Sequence, residues 1–189
     1  MKNILILLQF IIQITFSQTK ENLKTEFTDF YQSTTSKNID KLMNFTYPKI
    51  FAIATSEQIK EAFEESFEND ILTANYKEIN PNLQVQEIIK FKDHFFCKLS
   101  YQVVLEMNFK NENQDYSEST MAMFKERTGA DNITFDKTKN SITLDIPIKS
   151  LAIYDETTNK SWKFLVLEKD SQILKMLFNE DILEKLGLN

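Results

Sequence analysis

Five side chains in this sequence could do acid–base or nucleophilic work: Tyr31, Glu87, His94, Cys97 and Tyr101. Glu87 stands out because it falls in one alternating phase with Leu83, Val85, Ile89 and Phe91. If that phase is buried, a carboxylate there is costly unless paired, and its pKa rises. If the phase breaks at Glu87-Ile88-Ile89, the same acid turns outward. Tyr31 and Tyr101 both sit on apolar faces, so they are either hydroxyls lining an interior or core tyrosines with a structural hydrogen bond. His94 is the sole histidine and Cys97 the sole cysteine. Any Ser-His-Asp or Cys-His pair must therefore run through His94. Cys97 lies three residues further on and points across the sheet at a different height, which argues against a pair. Cys97 falls in a buried phase and reads as a small core residue. A metal site would have to be built mainly from carboxylates, and no acidic cluster has ligand spacing. With two glycines in the chain there is no phosphate-cradling loop, and no cofactor motif is present. The pocket candidates are thus Tyr31, Glu87 and Tyr101, with no catalytic residue, metal or cofactor assigned.

The elements that must position these side chains are readable from periodicity. In residues 95–109 every second residue is apolar: Phe95, Cys97, Leu99, Tyr101, Val103, Leu105, Met107 and Phe109. This is one long strand with a buried and a wetter face, broken only by Phe96 and Val104. At about 3.3 Å per residue it would reach roughly 50 Å, so it needs partner strands and a cover. Residues 21–36 read as a helix with Leu23, Phe27, Phe30 and Tyr31 on one face. A second helix follows with Asn38 as N-cap, ending at Tyr47-Pro48. Ile50, Phe51 and Ile53 suggest a short extended piece, and Ser56 caps a third helix through Phe67. Residues 71–79 form a weak strand, 83–91 another, and Lys92-Asp93-His94 turns into the long strand. Residues 116–128 fit a helix with Gly129 as C-cap, though Met121 and Met123 also fit a strand. Ile133 to Phe135 is a short strand. Ile142, Leu144, Ile146 and Ile148 alternate in another strand, which Leu151 and Ile153 continue in shifted phase. Residues 155–159 form a turn. Residues 162–167 are apolar on both faces and read as a central strand. Two short helices, around Leu174 and Leu183, close the chain.

Residues 1–17 combine Lys2, a short apolar run and Thr15-Phe16-Ser17. This is the pattern of a secretory signal peptide cleaved after Ser17. The run is shorter than the roughly 20 apolar residues a spanning helix needs, and no other stretch could cross a bilayer. The expectation is a secreted or periplasmic protein with one domain over residues 18–189. A formal charge of −6 without a basic run argues against nucleic acid. One cysteine excludes an internal disulfide, so stability must come from a core. In a eukaryotic secretory route Asn44-Phe45-Thr46, Asn132-Ile133-Thr134 and Asn159-Lys160-Ser161 would be glycan acceptors.

The order of elements resembles the NTF2-like (SnoaL-like) superfamily, and the chain is similar to secreted Bacteroidetes proteins of that type. Residues 23–36 match the inner helix, Tyr47-Pro48-Lys49-Ile50-Phe51 the segment after the second helix, and residues 56–67 the third helix. The long strand and Ser161-Trp162-Lys163-Phe164-Leu165 complete the match. The resemblance implies an α+β fold in which N-terminal helices pack in a strongly curved antiparallel sheet, an NTF2-like cone. The helix near 116–128 and the C-terminal helices are additions to that pattern. It implies a module binding an apolar small molecule or a protein partner, and a homodimer formed through the sheet. Members also include isomerases and dehydratases that use a carboxylate base in an apolar cone, so Glu87 with Tyr31 or Tyr101 is the enzymatic alternative. Fold alone decides neither.

Overall fold

Strict alternation of apolar residues makes His94–Phe109 a single strand of 16 residues, the longest in the molecule (β3). The computed structural model describes residues 20–111, 117–167 and 172–188. The leader expected over residues 1–17 lies outside them. Ahead of β3 come helix α1 (residues 20–35), α2 (Ile39–Phe45), a 3-10 turn (Pro48–Ala52), α3 (Ser56–Phe67), β1 (Leu72–Tyr76) and β2 (Gln84–Phe91). After it come α4 (Glu118–Thr128), β4 (Asn132–Asp136), β5 (Ser141–Tyr154), a 3-10 turn (Glu156–Thr158), β6 (Lys163–Val166), α5 (Gln172–Leu177) and α6 (Glu180–Leu186).

The fold is α+β, with the six strands in one antiparallel sheet. β3 and β5 are its spine, paired without a break from Phe95↔Tyr154 to Asn108↔Ser141. β1 and β2 share the outer edge of β3, and β4 and β6 share the outer edge of β5. On the spine's first face lie Cys97, Leu99, Tyr101, Val103 and Met107 with Ile142, Leu144, Ile146 and Ala152. α1 packs there through Leu23, Phe27 and Tyr31, an i, i+4 stripe.

The second face carries a core of its own. Phe96, Leu151 and Ile153 pack with Tyr47 and with Leu174, Leu177, Phe178, Leu183 and Leu186 from the C-terminal helices. The apolar phase of β5 shifts at Leu151 as expected, and the second core is the reason. The β5 register never slips; Leu151 and Ile153 simply point to the other side, where α5 and α6 exclude water. It also explains Phe96, which breaks the apolar face of β3 because it serves the opposite one.

The corrections are local. β6 pairs with β5 alone among the strands and lies at the edge rather than the centre. Both its faces are apolar because Phe164 enters the first core and Leu165 the second. Pro48–Ala52 is a 3-10 turn rather than an extended piece, with Pro48 in its first turn, where a missing N–H costs nothing. Thr55, not Ser56, caps α3, in a reciprocal capping box with Gln58. The helix alternative holds for α4, which Gly129 ends at φ 66°.

Candidate functional site

On the first face, α1 stacks aromatic rings against the sheet. The Phe27 ring meets Tyr101 at 4.8 Å, edge on, and Tyr31 meets Tyr101 at 6.3 Å with the planes at 89°. These crossed rings leave an apolar cavity of about 160 Å³ between α1, α3 and the sheet. Its walls include Phe30 and Tyr31 of α1, Phe63 and Phe67 of α3, and Tyr76, Tyr101 and Val103 of the sheet. Tyr31 also borders a wider, more open recess of about 460 Å³ under the segment linking β1 to β2, with Lys24, Gln32, Glu78 and Asn80 around it. A single phenol ring thus stands between an apolar chamber and a polar vestibule.

The hydroxyl of Tyr31 is buried and has no hydrogen-bond partner among the described residues. Burial raises its pKa, the nearby Ile79 backbone offsets part of this without bonding in full geometry, and Glu78 adds to the rise. Burial likewise pushes Tyr101 well above the ordinary tyrosine range, with further upward influence from Tyr76 and Tyr31. At neutral pH these phenols keep their protons. They can donate hydrogen bonds, but they cannot act as bases.

Glu87 is not with them. It is exposed, and it does not line the cavity. The cause is a bulge in β2: Val85 pairs with Leu99 but Ile88 pairs with Cys97, so three residues of β2 span two of β3. Val85 and Ile88 both reach the first core, Ile89 and Phe91 go to the second, and Glu87 is left in solvent. Tyr31 and Tyr101 come together as candidates; Glu87 does not join them.

Cys97 and His94 lie on opposite faces of β3 and form no pair. Burial pushes the Cys97 thiol up to about 11, and it contacts the Gln86 carbonyl at 3.4 Å, so it is an inert core residue. Among the described residues no group of three or more His, Cys, Asp or Glu side chains could hold a metal ion. No described helix is long and apolar enough to cross a membrane.

The second face holds a polar cluster that periodicity did not reveal. Asp155, just after β5, is buried in the 3-10 turn. Its Oδ1 accepts from the Thr157 N–H at 2.8 Å and the Thr157 hydroxyl at 2.6 Å, and its Oδ2 accepts from the Tyr47 hydroxyl at 2.8 Å. His94 Nε2 stands 3.8 Å from the same Oδ2, too far for a hydrogen bond but close enough for charge attraction when the ring is protonated. Burial is the largest influence on the Asp155 pKa and raises it. The hydrogen bonds from Thr157 and Tyr47 and the His94 charge together outweigh burial and hold the carboxyl below its ordinary value. Tyr47 is shifted the other way, by burial first and then by the carboxylate it serves.

The sequence signal for this cluster was Asp155-Glu156-Thr157-Thr158, in which Asp followed by Thr three residues on is a reciprocal cap: the Thr158 hydroxyl accepts the Asp155 N–H at 3.1 Å and donates to the Asp155 carbonyl at 2.9 Å. Nothing in the sequence joins it to Tyr47, 108 residues earlier. Tyr76 was likewise missed, lost in a short strand whose alternation is weak.

No family model matches the chain, and neither a curated protein nor a solved structure matches it.

Proposed function

We propose that the protein is a ligand-binding module of NTF2-like architecture, exported to the periplasm or beyond, whose first-face cavity receives a small, largely apolar, uncharged molecule. One observation carries this reading: the Tyr31 hydroxyl is buried, unpaired and placed at the border of an apolar cavity. Leaving such a group unsatisfied costs about 1–3 kcal/mol, and a ligand carbonyl accepting its proton would recover that loss. The cavity alone holds about five water volumes at about 30 Å³ each. With the vestibule across Tyr31 it reaches the range of about 300–1,000 Å³ usual for small-molecule sites. The packing of α1 on the spine through Leu23, Phe27 and Tyr31 supports the architecture, and the leader-like residues 1–17 support export. The isomerase or dehydratase alternative loses Glu87 as its base, since that residue is exposed and outside the cavity; the carboxylate beside Tyr31 is Glu78, which borders the open vestibule and not the apolar chamber.

Cyclohexanone is a suitable probe, with a compact apolar body and one carbonyl. Its titration, followed by NMR, should saturate, and Tyr31→Phe should weaken it about tenfold, the loss of about one net hydrogen bond. Val103→Phe, which fills the cavity, should abolish it. Binding that survives Val103→Phe unchanged would remove the cavity from consideration. Mass spectrometry of molecules carried through purification then identifies the natural ligand.

A further inference from the structure

The hairpin turn between β2 and β3 is closed by Phe91↔His94, with Lys92 at φ 54° at its tip. Beside it, on the second face, is a partly open recess of about 270 Å³. Apart from Asn179, its lining divides in two. Phe91, Leu177 and Ile182 are apolar and continue the second core. Lys49, Lys92 and His94 are cationic or can become so, and no carboxylate lines the recess among the described residues. In a chain of net charge −6 that is a local reversal of sign.

The two ammonium groups are held in place but not neutralised. Lys49 Nζ sits 5.9 Å from the centre of the Tyr47 ring, and Lys92 Nζ 5.4 Å from that of Phe91. Neither meets a carboxylate in any ion pair among the described residues. Asp93 in the turn and Glu180 and Asp181 on α6 are exposed and stand outside the lining. Behind the recess, Asp155 attracts His94 through Nε2, while Nδ1 of the same ring is buried without a hydrogen-bond partner. An anion arriving here would meet two ammonium groups and an imidazole ring.

We propose that this recess binds a small organic carboxylate, with its anionic head against Lys49, Lys92 and His94 and its apolar body against Phe91, Leu177 and Ile182. The volume equals about nine water volumes, which suits an acid of about six carbons. The site is separate from the tyrosine cavity, on the other face of the sheet, and does not depend on that reading.

The sole histidine makes the test direct, because its ring gives one unambiguous set of NMR signals. Hexanoate titrated into the full chain at fixed pH should shift the His94 signals saturably. Hexanol, which lacks the charge, and inorganic phosphate, which lacks the apolar body, should each bind at least tenfold more weakly. The double variant Lys49→Gln/Lys92→Gln should weaken hexanoate at least tenfold while its circular dichroism stays unchanged, and Tyr31→Phe should leave hexanoate binding as it was. The proposal fails if hexanoate produces no saturable shift, or if hexanol or phosphate binds equally well. It fails also if the double variant binds like the parent, or if Tyr31→Phe is the change that abolishes binding.

Discussion

The two faces of the sheet treat a buried tyrosine in opposite ways. On the first, Tyr31 has its hydroxyl at the border of a cavity and without a partner. On the second, Tyr47 is as deeply buried and gives its proton to Asp155 at 2.8 Å. The first arrangement leaves hydrogen-bonding capacity unused, and the second uses it to lock a turn against a helix pair. The difference separates a buried hydroxyl left without a partner from one that ties the protein's own chain together.

Four substitutions or titrations would break that contrast. The largest effect should come from Asp155→Ala, which strands the Tyr47 hydroxyl and both Thr157 donors; urea denaturation should show a loss of about 3–5 kcal/mol. A loss under about 1 kcal/mol would mean the cluster is incidental. Tyr47→Phe should cost about 1.5–3 kcal/mol, the range for a bond to a charged acceptor. Acid should act through the same group. A carboxyl held below its ordinary 3.8 adds stability in full above that value and loses it as the pH falls through the lower native value. Stability of the parent should therefore decline as the pH drops from about 4, and Asp155→Asn should flatten that slope. Glu26 on α1 works in the other sense: burial lifts it above 4.5, so it weakens the fold at neutral pH and ceases to do so on acidification. The smallest effect, and the sharpest against Tyr47→Phe, is Tyr31→Phe in ligand-free protein. Removing an unpaired hydroxyl should change the unfolding free energy by less than about 0.5 kcal/mol or raise it. A loss as large as that of Tyr47→Phe would show that Tyr31 has a structural bond and would erase the contrast.

Legibility followed locality. The alternation of β3, the N-cap Asn38 and the C-cap Gly129 are decided within a few residues, and each stands where the sequence put it. What the sequence hid was set by neighbours far along the chain. A bulge in β2 is visible only once β3 is beside it, and of the two readings left open for Glu87 it selects the one that turns the acid to solvent. The shifted phase of Leu151 and Ile153 was legible, but not that α5 and α6 are what cover them. β6 read as central because both its faces are apolar, yet among the described residues its outer edge has no strand beside it, only a single bridge from Thr46 to Phe164. Of the site, Tyr31 and Tyr101 were found because each sits on a clean periodic face. Asp155 and Tyr47 were not, since an Asp in a turn and a Tyr before a proline carry no periodicity.

The unbroken pairing of β3 with β5 has a kinetic consequence. Its near end joins residues 33 apart, Asn108 and Ser141, and its far end residues 59 apart, Phe95 and Tyr154, with α4 and β4 in between. Such partners must find each other across a large loop before any contact rewards the search, so refolding should take milliseconds to seconds rather than microseconds. Once zipped, the stretch around Phe96–Cys97 and Leu151–Ile153 is dry above and below, and its amide protons should be the last in the molecule to exchange with deuterium.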